Sequence, residues 1–570
     1  MPARSVSPIT VDRPVTTAPT RSRLLPSGTL AVLLAALPCT LGAVAVLLAG
    51  RSIDLAGDQA LIGLDTGDAA GFSQLLGPYS RYGWTHPGPV WFYLLAGPYV
   101  VLGRSGAALA GAMLLGQSLA AAAVVASVAG RRPRWRMPLA ALVLVVYLLR
   151  VPAESLTALW NPAVLALPLA ALILLAARGA AGSLPGVAGA GLAGTFLVQT
   201  HVGTVPVVAS VALVLVAVLS VRLSRWARDG SRRHDAFPVR AQGRAGAVVA
   251  VTAAAATVLA WVPPVLQQLR GDGTGGPGNI SLLVGFFTVS PGGGFTLREG
   301  MAAIGRLVAV PITGARPPGE LVAAPLTGHA QLVVLVFLGC CLALAVAGWA
   351  TGARQGAWTG LLTAVALLAA AKAVTGVRGQ VLTYLLEWSF ALPLALAVGW
   401  CDVVARLALP PRNGHRRDVV RRVGWGLVAV TAAVSVLAGI RVAREPTRSD
   451  SPGVARLTAA LAPVVSADLP ARDGPDLVLD FSEGDDWPLA AGLALWLRED
   501  AGREVLVPRR WTALFGADRG DPADGGVRAE QLPVLTVVSA GEPRPRGARE
   551  VAAGQTERGP VELWLTPTGS

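Results

Sequence analysis

The chain has 570 residues, of which 53% are hydrophobic and only 14% charged, with a mean hydropathy of +0.56. Soluble domains carry closer to a quarter charged residues, so these proportions exclude a soluble globular enzyme and mark an all-α polytopic membrane protein. The net charge of +14 does not point to nucleic acid: from Arg444 onward 20 acidic and 14 basic residues leave −6, and the earlier excess of bases sits in short segments between apolar runs.

Residues 1–26 are polar and rich in Pro, Thr and Arg, and read as a disordered cytoplasmic N-terminus. Eleven apolar runs follow, at 28–50, 105–129, 137–151, 162–177, 184–200, 204–221, 245–265, 330–350, 356–375, 381–407 and 423–442. Most are long enough for a helix to cross a hydrocarbon core about 30 Å thick. The alternating strands of a barrel are absent. The first run is too long for the core of a cleaved signal and reads as an anchor. Sixty-six glycines suit close helix packing in lipid.

With the N-terminus inside, the basic segments Arg131–Arg136, Arg222–Arg244 and Arg412–Arg422 all fall on the cytoplasmic side. The membrane domain then occupies 27–443, with outer loops at 51–104 and 266–329. An odd number of spans places residues 444–570 outside the membrane. In that segment 476–481, 504–508 and 535–538 read as strands and 487–497 has helical apolar spacing, giving a small α/β domain. The run 90–102 is short and reads as a half-inserted helix continuous with the span after Gly103; 300–310 reads as an interfacial helix. No internal repeat supports a transporter built from two related halves. Cys39, Cys340, Cys341 and Cys401 lie within apolar runs, so neither a disulfide nor a zinc site is expected.

Ionisable groups beside a bilayer are costly unless they bind ions or do chemistry, which draws attention to the first outer loop. Asp54 and Asp58 stand four apart and, if helical, share a face. Arg81, Arg150, Lys372 and Arg378 are candidates for phosphate contacts, and Lys372 is the only lysine in the chain. Snorkelling to headgroups is the alternative for Lys372 and Arg378. Tyr82, Trp84, His86, Trp160, Asn161 and His201 are candidate substrate contacts, the aromatics doubling as an interfacial belt and the histidines as structural hydrogen-bond partners. Glu387 is a candidate contact or a packing partner of a nearby cation. Asp65 and Asp68 read as ordinary loop acids.

The order Gly57-Asp58-Gln-Ala60, then His86-Pro-Gly-Pro-Val-Trp-Phe-Tyr-Leu-Leu95, then Gly103-Arg-Ser resembles the first outer loop of the GT-C superfamily. These are polyprenyl-phosphate-sugar-dependent glycosyltransferases and include protein O-mannosyltransferase-like and lipid A aminoarabinose-transferase-like enzymes. Trp160-Asn-Pro162, Trp261-Val-Pro-Pro264 and Gly278-Asn279 are similar to actinobacterial members. Gln59 departs from the pattern where an acid is common, and Gly88 replaces the second proline of the usual pair.

The resemblance implies a polyprenyl-phosphate sugar as donor and an envelope glycan, lipid or protein as acceptor. Such a transfer needs a carboxylate to take the acceptor proton, here Asp58, and cations to stabilise the departing phosphate. One base suffices for inversion with a phosphate leaving group. Some relatives use a divalent cation, but the spacing supplies no ligand set. The rival readings are a transporter or flippase of lipid-linked precursors and a non-catalytic assembly partner marked by Gln59. The only other partner expected is membrane lipid.

Overall fold

The computed structural model describes residues 27–49, 53–129, 135–229, 239–271, 276–289, 294–322, 328–408, 414–445, 451–469, 475–481, 486–516, 519–520, 532–539, 541–556 and 559–568. The expected disordered N-terminus and parts of the three basic segments lie outside these residues.

The long helix α1 (Ser27–Leu48) leads to the short α2 (Gly57–Ala70), a hairpin of β1 (Tyr79–Ser80) and β2 (Trp84–Thr85), and α3 (Val90–Val101). Then come α4 (Gly106–Ser127), α5 (Arg136–Arg150), the single turn α6 (Glu154–Thr157), α7 (Ala166–Ala180), α8 (Leu184–Thr200), α9 (Val205–Asp229), α10 (Val239–Ala260) and α11 (Val262–Arg270). After α12 (Asn279–Val289) and α13 (Leu297–Thr313), the chain forms α14 (Gly328–Ala350), α15 (Arg354–Val374), α16 (Ala391–Leu407) and α17 (Gly414–Arg444). The fold is that of an all-α multi-pass membrane protein with a small C-terminal α/β domain.

Among the described residues nine helical stretches are long and apolar enough to cross a membrane. All eleven expected spans are helical; the two outside this set are α5, of 15 residues, and α8, of 17, whereas α7 and α16 reach a crossing length with the 3₁₀ turns before them. The α5 helix is bounded at both ends by arginines, Arg136 and Arg150, which donate to backbone carbonyls of other segments.

Most of α7 is buried, packed by α4, α8, α9, α15 and α16. Bare backbone contact makes this packing dense. A Cβ at Gly360 of α15 would lie 2.5 Å from the Cys341 carbonyl oxygen of α14, so only glycine fits there. At the other extreme α10 touches mainly α8 and offers an apolar face, with Val248, Val251 and Leu259 exposed.

Two expectations about the outer segments are corrected. The α3 helix is not continuous with the following span: Gly103 (φ 93°) and Arg104 (φ 52°) are left-handed, and the Ser105 side chain caps α4 by accepting the Ala108 N–H. The 300–310 segment is not a separate helix at the surface of the bundle. It belongs to α13, whose Ala303, Ile304 and Leu307 are fully buried and which packs on α14 and α15. A capping box between Thr296 and Glu299 starts α13, and Gly314 in the left-handed region ends it.

The C-terminal domain comprises α18 (Pro452–Asp468), β3 (Leu477–Phe481), α19 (Trp487–Glu499), β4 (Val505–Leu506), α20 (Thr512–Phe515), β5 (Val534–Ser539), β6 (Arg549–Thr556) and β7 (Gly559–Thr566). Its five-stranded sheet has the order β4-β3-β5-β7-β6, parallel among the first three strands and antiparallel in the rest. The three expected strands and the helix are present; the β6–β7 hairpin was not foreseen.

At one end of the bundle, a buried polar network joins five helices. Arg136 pairs with Asp402, whose other oxygen accepts the Gly356 N–H at 3.0 Å. Arg136, Arg178 and Gln355 between them donate to the Val128, Ala126 and Ser127 carbonyls. The open C-terminal carbonyls of α4 thus find donors inside the protein, as a low-dielectric surrounding demands. Asp402→Ala would leave Arg136 buried without its counter-charge, a change that typically costs about 3–5 kcal/mol. The expected result is a large fall in the unfolding midpoint of the detergent-solubilised protein; an unchanged midpoint would show that the carbonyls alone satisfy Arg136.

Candidate active site

A cavity of about 670 Å³ lies at the opposite end of α15, around Lys372. Counted along α15, it is about 24 Å from the Asp402 network at 1.5 Å per residue. Its walls come from α2, the β1–β2 hairpin, the Trp160–Pro162 turn, the His201–Gly203 turn, α12, the segment Lys372–Arg378, the 3₁₀ turns after residue 383, and Trp487 of the C-terminal domain.

Helix α2 presents one face to this space. Asp58, Leu61, Ile62 and Asp65 all line it, at the i, i+3, i+4, i+7 spacing of a single helical stripe. Asp58 lies in the first turn, where the helix dipole favours a carboxylate. Gln59 is fully buried and lies outside the cavity wall.

The loop opposite α2 is held by polar clasps. Asn279, at the start of α12, accepts the Thr85 N–H and donates to the Thr85 carbonyl, each at 2.9 Å. Gln199 accepts the Val90 N–H at 3.3 Å and donates to the Ala260 carbonyl at 2.8 Å. A Cβ at Gly88 would collide with the Gln199 side chain and with Pro264, so glycine there is a packing requirement.

These clasps aim the hairpin tip into the cavity. Arg81 donates to the Tyr82 hydroxyl at 3.1 Å, and that hydroxyl donates to the Arg378 carbonyl at 2.6 Å. The hydrogen bond to Tyr82 raises the Arg81 pKa further. The Arg378 guanidinium lies 3.6 Å from the centre of the Phe286 ring and donates to the Phe286 carbonyl. Stacking of this kind holds a guanidinium in place while preserving its charge. Lys372, in the last turn of α15, adds a third cation to the lining.

The two histidines are of another kind. His86 and His201 are buried, with ring centres 4.7 Å apart. Burial, reinforced by His201, drives the His86 pKa well below its usual value, and burial lowers that of His201 to about 4. His86 Nδ1 accepts the Val202 N–H and His201 Nδ1 accepts the Gly203 N–H, both at 3.1 Å. Each ring is therefore neutral with its proton on Nε2, a donor and not a cation. Trp160 lies against Tyr384 with ring centres 4.3 Å apart and planes tilted by 44°, and Asn161 donates to the Thr200 carbonyl at 3.0 Å.

Of the residues singled out from the sequence, Asp58, Arg81, Lys372, Arg378, Tyr82, Trp84, His86, Trp160, Asn161 and His201 come together on this cavity. Three do not line it. Asp54 precedes α2 and shares no helical face with Asp58; its charge acts on Asp500 of the C-terminal domain. Arg150 donates to the Ile312 carbonyl at 2.7 Å and ties α5 to the end of α13. Glu387 hydrogen-bonds Ser155.

Other wall residues were not foreseen: Tyr79, Phe286, Tyr384, Trp487 and Asp65. Asp65 and Asp68 are no ordinary loop acids. Asp68 pairs with Arg498 at 2.6 Å and with Arg519, and Asp65 lies 3.7 Å from Arg519. Both arginines belong to the C-terminal domain, which this cluster fastens to α2. Among the described residues no three His, Cys, Asp or Glu side chains cluster to hold a metal ion. Asp58 and Asp65 stand two helical turns apart along α2.

No protein-family model matches the chain, and no curated protein matches it. Among solved structures it is similar to ArnT from Cupriavidus metallidurans in the apo state, with a TM-score of 0.48 and 14% identity over 92% of this chain and 96% of that one. It is also similar to ArnT from Cupriavidus metallidurans bound to undecaprenyl phosphate, with a TM-score of 0.48 and 13% identity over 95% and 97%.

Burial raises the Asp65 pKa to about 7, with Arg519 pulling the other way and Asp68 adding to the rise. An unfolded chain releases this proton near pH 4. Between about pH 4 and 7 the folded state thus holds a proton that the unfolded state does not, so this group's contribution to stability falls as pH rises. Asp65→Asn is expected to remove that contribution. The melting temperature of wild type minus that of the variant should decrease across this interval; a constant difference would sink the assignment.

Proposed function

We propose that the protein is a membrane glycosyltransferase of the GT-C type, which transfers a sugar from a polyprenyl-phosphate donor to a cell-envelope acceptor at the outer face of the plasma membrane. One observation carries the reading: a single cavity gathers Asp58 with the three cations Arg81, Lys372 and Arg378.

The reaction follows from that arrangement. The acceptor hydroxyl oxygen attacks the anomeric carbon and its proton passes to Asp58. The bond from that carbon to the phosphate oxygen breaks, and its electron pair leaves with the polyprenyl phosphate, whose gained charge Arg81, Lys372 and Arg378 offset. A single displacement inverts the anomeric configuration. The neutral His86 and His201 serve as hydrogen-bond donors beside this path, because a ring that resists protonation is a poor base. The polar groups at the far end of the bundle are engaged with backbone carbonyls and one another, which favours an enzyme over a flippase that would need a polar route through the membrane.

The orientation is part of the proposal: the N-terminus lies in the cytoplasm, and the cavity and the C-terminal domain lie outside. Gly541→Cys, on a background without the four native cysteines, is expected to react with an impermeant thiol reagent in intact cells once the wall is opened. Labelling only after membrane disruption would reverse the topology.

Asp58→Asn keeps shape and hydrogen bonding while removing the base. Sugar transfer is expected to fall by about 10²–10⁴-fold with donor binding retained. Lys372→Ala should instead weaken donor use, measured as transfer against donor concentration. If Asp58→Asn leaves transfer from every polyprenyl-phosphate sugar unchanged, Asp58 is not the base. If wild type transfers none, the glycosyltransferase reading falls.

A further inference from the structure

The cavity is electrically divided. Its cations come from the hairpin tip, the last turn of α15 and the segment after it, whereas both of its carboxylates, Asp58 and Asp65, lie on α2. A phosphate is drawn to the cations, which leaves the α2 side, where Asp58 can take its proton, to the acceptor. What lines that side is specific. Trp487, carried in by the C-terminal domain, lies so close to the start of α2 that a Cβ at Gly57 would be 3.5 Å from its ring. Tyr79 stands beside it, with ring centres 6.4 Å apart and planes tilted by 51°. Asp58 is near enough to Tyr79 to contribute to the rise in its hydroxyl pKa, after burial.

We propose that Trp487 and Tyr79 form an acceptor subsite for a saccharide ring, so that the acceptor is a glycan or glycolipid and not a peptide hydroxyl. The inference rests on the glycosyltransferase reading and deepens it. The C–H faces of a sugar ring pack on aromatic faces, and its hydroxyls donate to carboxylates. Asp58 and Asp65 offer acceptors about 10 Å apart along the helix, at 1.5 Å per residue, with the aromatic pair beside the first. Between them the wall is Leu61 and Ile62, whose side chains offer nothing to the N–H and C=O groups of a peptide. Helix α19, which carries Trp487, is fastened to α2: a Cβ at Gly63 would lie 2.9 Å from Leu495, and Arg498 grips Asp68. The start of α19 is therefore held beside the helix that carries the base.

The test uses the full chain in nanodiscs with a panel of radiolabelled polyprenyl-phosphate sugars. Three acceptor probes are offered: octyl glycosides, a Ser/Thr-rich peptide and octanol. Transferred sugar and free sugar from donor hydrolysis are counted separately. Wild type should glycosylate an octyl glycoside at least about tenfold faster than the peptide or octanol, and Trp487→Ala should raise the glycoside KM about tenfold with a clearly smaller effect on donor hydrolysis. Trp487→Phe should recover most of the loss. Preference for the peptide or octanol overturns the saccharide assignment. Transfer and hydrolysis falling together in Trp487→Ala shows that the ring merely closes the cavity, and an unchanged KM removes the subsite. Neither transfer nor hydrolysis by wild type from any donor is a different failure, which brings down the parent reading.

Discussion

The site depends on how one short helix is held. With 14 residues, α2 is too short to be stable alone and takes its position from what grips it. Asp68, with Asp65 beside it, reaches Arg498 and Arg519, and the glycines of α2 let α19 approach closely. Exposed ion pairs contribute little, but these side chains are mostly buried, so removing one partner leaves a charge with poor solvation. Asp58 sits in the first turn of the helix fixed in this way. The C-terminal domain thus positions the helix that carries Asp58.

The second requirement is on the loop across the cavity. A stretch of backbone at a membrane boundary needs partners for its N–H and C=O groups. Asn279 and Gln199 supply them to the segment around Thr85–Val90, and the neutral histidines accept from the turn after α8. These residues hold the hairpin so that Arg81 and Arg378 meet at its tip. The cavity is therefore built largely from polar side chains that orient one another, while the lipid-embedded helices supply a rigid frame.

Much of the frame was legible in the sequence because bilayer thickness converts directly into run length. All eleven apolar runs became helices, and the two that fell short of a full crossing, α5 and α8, are the ones with polar or glycine-rich limits. The joint at Gly103–Ser105 was misread because hydropathy cannot register a left-handed backbone. The β6–β7 hairpin was missed although Val561, Leu563 and Leu565 alternate inward; its partner strand, with Ala552, Ala553 and Gly554, carries little pattern of its own. At the site, single residues such as Asp58 and Lys372 were legible because a charge beside lipid demands a reason. Asp65 could have been found by extending the α2 stripe to i+7. Trp487 could not, since no local signal joins it to a helix more than 400 residues earlier.

That separation also orders events in time. Synthesis runs from the N-terminus, so α2 is made more than 400 residues before α19, and the sheet behind α19 closes only when β7 is complete. Throughout this interval the carboxylates of Asp65 and Asp68 must wait for their arginines, and the cavity lacks a wall. A nascent or truncated chain can therefore insert its helices and still hold the base on an unanchored element. On the proposed function, the site is complete only after Arg498 and Arg519 have reached α2.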